Sequence, residues 1–154
     1  MLKDGDHAPD VTLALHDGSM TRVADQAGKV LILYFYPKDD TPGCTTEAQS
    51  FTALADDFTS ANATIIGVSK DSPARHKKFI DKYGLKVALA SDGDGSVCEA
   101  YGTWIEKTLY GRNYMGIDRA TFLIAKDGRI ARIWRKVKVK GHAEEVLAAA
   151  RALA

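Results

Sequence analysis

Val30–Tyr36 (VLILYFY) is a continuous apolar run, preceded by Gly28-Lys29 and closed by Pro37. Such a run predicts a central strand buried on both faces. Thr64–Ser69 (TIIGVS) predicts another. Between them Phe51, Leu54, Ala55 and Phe58 recur at i, i+3, i+4 and i+7, the spacing of a helix with one apolar face. Ser72 and Pro73 supply an N-cap and a first helical residue, and the helix they open runs to about Tyr83 and stops at Gly84. Val87–Ala90 reads as a short strand and Ser96–Tyr101 as a short helix. Thr121–Ala125 and Ile130–Trp134 predict a hairpin across Lys126-Asp127-Gly128-Arg129. From Gly141 a C-terminal helix packs through Val146, Leu147, Ala150 and Leu153. At the other end Thr12–Leu15 and Ser19–Thr21 pair over Asp17-Gly18. Lys136, Lys138 and Lys140 alternate with Val137 and Val139, as on a strand with one wet face. Strands alternating with helices, then one late hairpin, predict an α/β sandwich with a mixed central sheet. No linker divides residues 1–154, so a single domain is expected.

Composition narrows the function classes. Twenty-one basic residues against 20 acidic ones leave a formal charge of +1, which gives nucleic acid or an anionic membrane little to hold. No apolar run approaches the ~20 residues that span a bilayer, and the polar opening MLKDGDHAPD lacks the apolar stretch of a secretory signal. A cytoplasmic location is the default expectation. His7, His16, His76 and His142 are scattered without metal-ligand spacing and read as surface residues. Asp92-Gly93-Asp94-Gly95 reads as a turn, since the downstream glutamate of a calcium loop is missing. No glycine-rich stretch forms a phosphate or dinucleotide loop, so neither an organic cofactor nor a metal is expected.

The two cysteines, Cys44 and Cys98, differ in setting. Cys44 follows the first apolar run, in the loop KDDTPGC, where α/β folds place their chemistry. Thr41 suits an N-cap and Pro42 the first helical position, which puts Cys44 in the first turn. Free backbone N–H groups and the positive end of the helix dipole there favour thiolate, the nucleophilic form. A thioredoxin-type exchanger carries a second cysteine in the same turn, whereas this chain reads CTTE. A polar Gly-Pro loop is a poor place for a cysteine serving only as core filling.

The segment YFYPKDDTPGCTTEA resembles the signature of peroxiredoxins, and of the peroxiredoxin Q (bacterioferritin comigratory protein) subfamily in particular. The pattern P-x-x-x-T-x-x-C is complete as Pro37, Thr41 and Cys44, and the likeness extends to GDHAPDVTL, IIGVSKDSPARHKKF and GIDRATFLIAKDGRI. It implies a thioredoxin-like fold with an N-terminal β-hairpin extension and a thiol peroxidase acting on hydrogen peroxide and organic hydroperoxides. By the same resemblance Cys44 is the peroxidatic cysteine, Thr41 offers its hydroxyl to thiolate and peroxide, and Pro37 shields the pocket. Arg119 supplies the distant arginine, and Glu47 the acid that orients it. Read without the resemblance, Arg119 is an ordinary surface arginine.

The chain departs from the subfamily in one respect. The resolving cysteine usual five residues after the first is replaced by Gln49, and the next long helix, with Ala74–Tyr83, contains none. Cys98 remains as a candidate resolving thiol, but Val97, Cys98 and Tyr101 share a helical apolar face, and a small buried residue is the simpler reading. A one-cysteine peroxidase is therefore expected, its sulfenic acid reduced by thioredoxin, by glutaredoxin with glutathione, or by another small thiol. Alternatives are a two-cysteine enzyme using Cys98, or a redox sensor without turnover. The resemblance implies a monomer, with a dimer as the alternative. Tyr110–Tyr114 is expected to line either the pocket or an association surface.

Overall fold

The computed structural model describes residues 1–153. β3 (Val30–Phe35) is the central strand, and each of its residues is buried. Its alternation splits the core in two. Val30, Ile32, Tyr34 and Tyr36 belong to one apolar cluster; Leu31, Leu33 and Phe35 belong to another across the sheet. β4 (Ala63–Ser69) lies parallel to β3 on one side, and β8 (Ala120–Ile124) antiparallel on the other. With β1 (Thr12–Leu15), β2 (Met20–Arg22), β5 (Ala88–Ser91) and β9 (Ile130–Trp134), the order is β2-β1-β5-β4-β3-β8-β9. This is the expected mixed sheet, its N-terminal hairpin docked antiparallel on β5.

The first cluster is covered by α1 (Pro42–Ala53), α2 (Ala55–Ser60), α3 (Pro73–Tyr83) and α5 (His142–Leu153). The second is covered by α4 (Ser96–Ala100), Tyr101, and Leu13 and Val23 from the N-terminal extension. Phe51 of α1 is fully buried, stacked on Tyr34 with centroids 4.8 Å apart and tilted on Phe58 at 5.8 Å. Truncating a ring so enclosed costs about 3–5 kcal/mol. Gly67 makes room beside this stack: a Cβ there would stand 2.6 Å from the Tyr34 ring and 2.9 Å from Leu89.

Two expectations need correction here. The helical pattern through Phe58 is not one helix but two, broken at Leu54 (φ −104°, ψ 11°), and the break leaves both phenylalanines inside. The Lys136–Lys140 segment is not a strand. Lys136 has a left-handed φ of 48°, its N–H goes to Asp118 Oδ1 (3.2 Å), and the Val137 N–H goes to Arg119 O (2.9 Å). Those bonds tie the segment to the Asp118 carboxylate and the Arg119 carbonyl instead of a ladder. The structure also adds a separate two-stranded ribbon, β6 (Trp104–Leu109) with β7 (Arg112–Ile117), turned at Tyr110-Gly111. The Tyr110–Tyr114 segment is thus an exposed ribbon tip, with Tyr110 almost fully in solvent. No helix among the described residues is long and apolar enough to cross a membrane.

Candidate active site

The antiparallel register Phe35↔Ala120 places Arg119 beside the end of β3, where the chain leaves the sheet for α1. A sequence separation of 75 residues is closed by that pairing, and Arg119 Nη2 donates to Cys44 Sγ at 3.3 Å. Its Nη1 donates to Glu47 Oε1 at 2.7 Å. Glu47 stands one helical turn beyond Cys44, on the same face of α1. Gly43 keeps the passage open: a Cβ there would lie 3.1 Å from Arg119 Nη2.

Thr41 is the extended residue before α1 (φ −97°, ψ 156°), and Pro42 opens the helix. The first closing bond is Thr45 N–H to Thr41 O at 2.8 Å, so the N–H groups of Gly43 and Cys44 have no carbonyl one turn back. The helix start therefore directs positive potential toward the sulfur. The Thr41 hydroxyl, however, donates to Lys38 O at 2.8 Å and makes no bond to a helix N–H. Its one proton is committed to the loop; its lone pairs are what it offers elsewhere. Pro37 is exposed and Cys44 only 2% exposed.

Burial dominates the charge balance. It pushes the Glu47 carboxyl up to about 7 despite the opposing Arg119 guanidinium, and Glu47 Oε2 has no partner among the described residues. For Arg119 burial alone lowers the pKa, but the charges of Glu47 and Cys44 outweigh it and the net shift is upward. Both shifts are upward, so burial disfavours the charge of Glu47, whose side chain keeps 2% of its surface in water, while the charge of Arg119, whose side chain keeps 17%, is favoured. Lys107, on β6, is a charge near the site that the sequence did not single out. Burial lowers its pKa, and Cys44 and Arg119 both act on it.

Cys98 belongs to the other cluster, across the sheet from Cys44. It is fully buried, and burial, aided by Asp92, pushes its thiol up to about 12. Asp92 accepts from the Val97 and Cys98 N–H groups (3.1 and 2.8 Å) and so caps α4, while Asp94 bonds Ser96, confirming Asp92–Gly95 as a turn. Two histidines correct the surface reading. His76 and His142 are 0% and 4% exposed, on the inner faces of α3 and α5. The signal was present: His76, Phe79, Ile80 and Tyr83 follow i, i+3, i+4, i+7, masked by the charged residues between. A concavity of about 290 Å³ bounded by His7, Lys29 and Asp127 lies at the start of β3, the opposite end from Cys44.

The sequence pattern of the AhpC/TSA family matches residues 5–133. The chain is 48% identical over 143 residues to peroxiredoxin Bcp of Xanthomonas campestris pv. campestris, covering 93% of this chain and 89% of that one. It is likewise 48% identical to peroxiredoxin Bcp of Bacillus subtilis, covering 93% and 91%. A solved structure of the Xanthomonas campestris bacterioferritin comigratory protein, described for its alkyl peroxide reduction activity, superposes with a TM-score of 0.88 at 47% identity, covering 92% and 90%.

Proposed function

The chain belongs to the AhpC/TSA family and is a peroxiredoxin of the Bcp type, a thiol peroxidase, and on that premise we propose that Cys44 is its peroxidatic residue. The observation that supports this reading best is the single guanidinium shared between Cys44 Sγ (3.3 Å) and Glu47 Oε1 (2.7 Å).

The Cys44 thiolate attacks one oxygen of the hydroperoxide. An S–O bond forms, the O–O bond breaks, sulfur loses two electrons, and the departing oxygen takes a proton to leave as water or an alcohol. Negative charge moves from sulfur onto that oxygen. Arg119 and the N–H groups of Gly43 and Cys44 line the path along which the charge travels, and preorganised donors count most there. Thr41 accepts the hydroperoxide O–H through the lone pairs its bond to Lys38 leaves free, and Pro37 walls the outer side. With Cys44 only 2% exposed, small substrates suit the site: hydrogen peroxide and small organic hydroperoxides. The alkyl peroxide activity named for the Xanthomonas relative supports the organic substrates.

The sulfenic acid is then reduced from outside. Cys98 is the only other cysteine, and the sheet stands between them. An external thiol attacks the Cys44 sulfur, releases water and leaves a mixed disulfide, which a second thiol opens. Thioredoxin, glutaredoxin with glutathione, or a small thiol supplies those electrons. Re-reduction at every turnover suits the cytoplasm.

Steady-state peroxide consumption with a thiol donor tests the reading. Cys44→Ser abolishes it and Cys98→Ser leaves it intact. Turnover in Cys44→Ser removes the assignment, equal loss in both variants restores the two-cysteine alternative, and a halt after about one equivalent per Cys44 identifies a sensor.

A further inference from the structure

A second buried polar group lies beside the site, and the peroxidase chemistry does not use it. Tyr36, Asp39 and His76 are 1%, 3% and 0% exposed. The Tyr36 hydroxyl donates to Asp39 Oδ1 at 2.5 Å, and Asp39 Oδ2 lies 2.7 Å from His76 Nδ1. His76 Nε2 lies 3.0 Å from Ala90 O. A carbonyl only accepts, so Nε2 carries a hydrogen. One further proton sits between Nδ1 and Oδ2. Whether written as imidazolium with carboxylate or imidazole with acid, the pair is neutral as a whole and leaves no charge unpaired in the interior.

Asp71 brings a third ligand-type oxygen within 4.8 Å of the other two residues' ligand atoms. Its Oδ2 already accepts from the Asp39 N–H (2.9 Å) and the Ser69 hydroxyl (2.7 Å), and its Oδ1 faces Arg75 Nε at 3.2 Å. The lone pairs a metal would need are committed to protons.

The position of this group in the chain is what matters. Asp39 is midway along the loop from β3 to Cys44, whereas His76 is on α3 and Ala90 on β5. Asp40 follows with a left-handed φ of 59°, and its carboxylate meets Lys82 Nζ (2.8 Å) and Tyr83 Oη (2.5 Å) on the last turn of α3. The loop thus leans on α3 twice. The outer contact is wet and weak; the inner one is dry. Where Asp39 is fixed decides where α1 begins, and with it the distance from Cys44 to Arg119.

We infer that Tyr36, Asp39 and His76 form a positioning set for the peroxide step, holding the Pro37–Thr41 loop closed so that Cys44 meets Arg119. This rests on Cys44 being the reacting thiol.

Stopped-flow measurement of the second-order rate with hydrogen peroxide tests it, together with iodoacetamide labelling of the Cys44 and Cys98 peptides read by mass spectrometry. His76→Leu and Asp39→Leu each lower the peroxide rate by about 10- to 100-fold. Asp39→Asn keeps every bond, its amide donating to a neutral His76 and its carbonyl accepting from Tyr36, and stays within about threefold of wild type. In the leucine variants Cys44 labels faster while Cys98, across the sheet, labels at the wild-type rate, which separates a loosened loop from global unfolding. Rates within about twofold of wild type in both leucine variants overturn the inference, as does an asparagine variant no better than its leucine counterpart. If Cys98 labelling shows that the leucine variants do not fold, Tyr36→Phe decides by the loss of one hydroxyl: a several-fold fall is expected, and a fall under about twofold overturns the inference. Cys44→Ser is the control. Turnover there removes the parent reading, whereas a dead Cys44→Ser beside a fully active His76→Leu removes only the positioning set.

Discussion

Glu47 holds Arg119 by one nitrogen, Nη1 at 2.7 Å, which leaves Nη2 facing Cys44 Sγ at 3.3 Å. A planar fork serves two acceptors at fixed geometry, and an ammonium does not. Arg119→Lys is therefore expected to lower kcat/KM for peroxide by roughly 100-fold, the usual loss for one preorganised donor at developing charge. Glu47→Gln still offers a carbonyl to Nη1 and is expected to cost about tenfold, since the charge assistance is lost but the bond is kept. Stopped-flow rates at saturating reductant measure both, and the reverse order of severity would give Glu47 a role apart from Arg119.

The separation of the two cysteines carries a prediction for how peroxide inactivates the enzyme. On the proposed assignment of Cys44 as the reacting thiol, the sheet that separates it from Cys98 leaves no internal thiol to intercept the sulfenic acid. At rising peroxide and limiting reductant, a second peroxide converts it to sulfinic acid. Mass spectrometry is expected to find two added oxygens on the Cys44 peptide, in step with loss of turnover. A Cys44–Cys98 disulfide accumulating first would contradict the arrangement.

His142 makes stability depend on acid. It packs edge-on to Trp134 and Phe51, its Nε2 lies 2.8 Å from Thr121 Oγ1, and burial lowers its pKa to about 4. In the unfolded chain the ring takes its proton near 6.5, so the unfolded state binds more protons between those values. Its contribution is therefore complete above about pH 6.5 and lost as the pH falls toward 4, which amounts to roughly 2 kcal/mol between pH 7.5 and 5. Urea unfolding is expected to show a smaller pH dependence in His142→Gln by that amount. An unchanged slope would mean that the ring is not buried neutral in the folded state.

The fold was legible wherever a single segment carried the pattern. β3 is apolar throughout, β4 carries Ile65, Ile66 and Val68 at its buried centre, and α3 has Ser72 at its start, bonded to the Arg75 N–H at 3.2 Å, and Gly84 in the left-handed region at its end. The β6–β7 ribbon was hidden by its turn. Both residues have positive φ, Tyr110 at 51° and Gly111 at 74°, and Tyr-Gly does not announce such a turn as Asn-Gly would. At the site, Cys44 was readable from its loop because helix starts are local. The Arg119 contact depends on strand register, which no local pattern encodes, and only the family resemblance pointed to it. The Thr41 hydroxyl donates to Lys38 O, a loop carbonyl three residues back, a local side-chain bond that the helix-start pattern does not specify.

Gly43 separates stability from activity. It occupies the first turn of α1, where alanine is the better helix former by up to ~1 kcal/mol. Yet an added Cβ would stand 3.1 Å from Arg119 Nη2, closer than ordinary contact, and Glu47 pins the other nitrogen of the same group at 2.7 Å. The guanidinium can yield only by swinging away from Cys44. Gly43→Ala is therefore expected to leave the melting temperature unchanged or higher while the peroxide rate falls by about tenfold, as misplacement of a catalytic group by tenths of an ångström does. Calorimetry and stopped flow on one preparation give both numbers. A variant that keeps its full rate would show that Arg119 need not stay where it stands for the reaction to proceed.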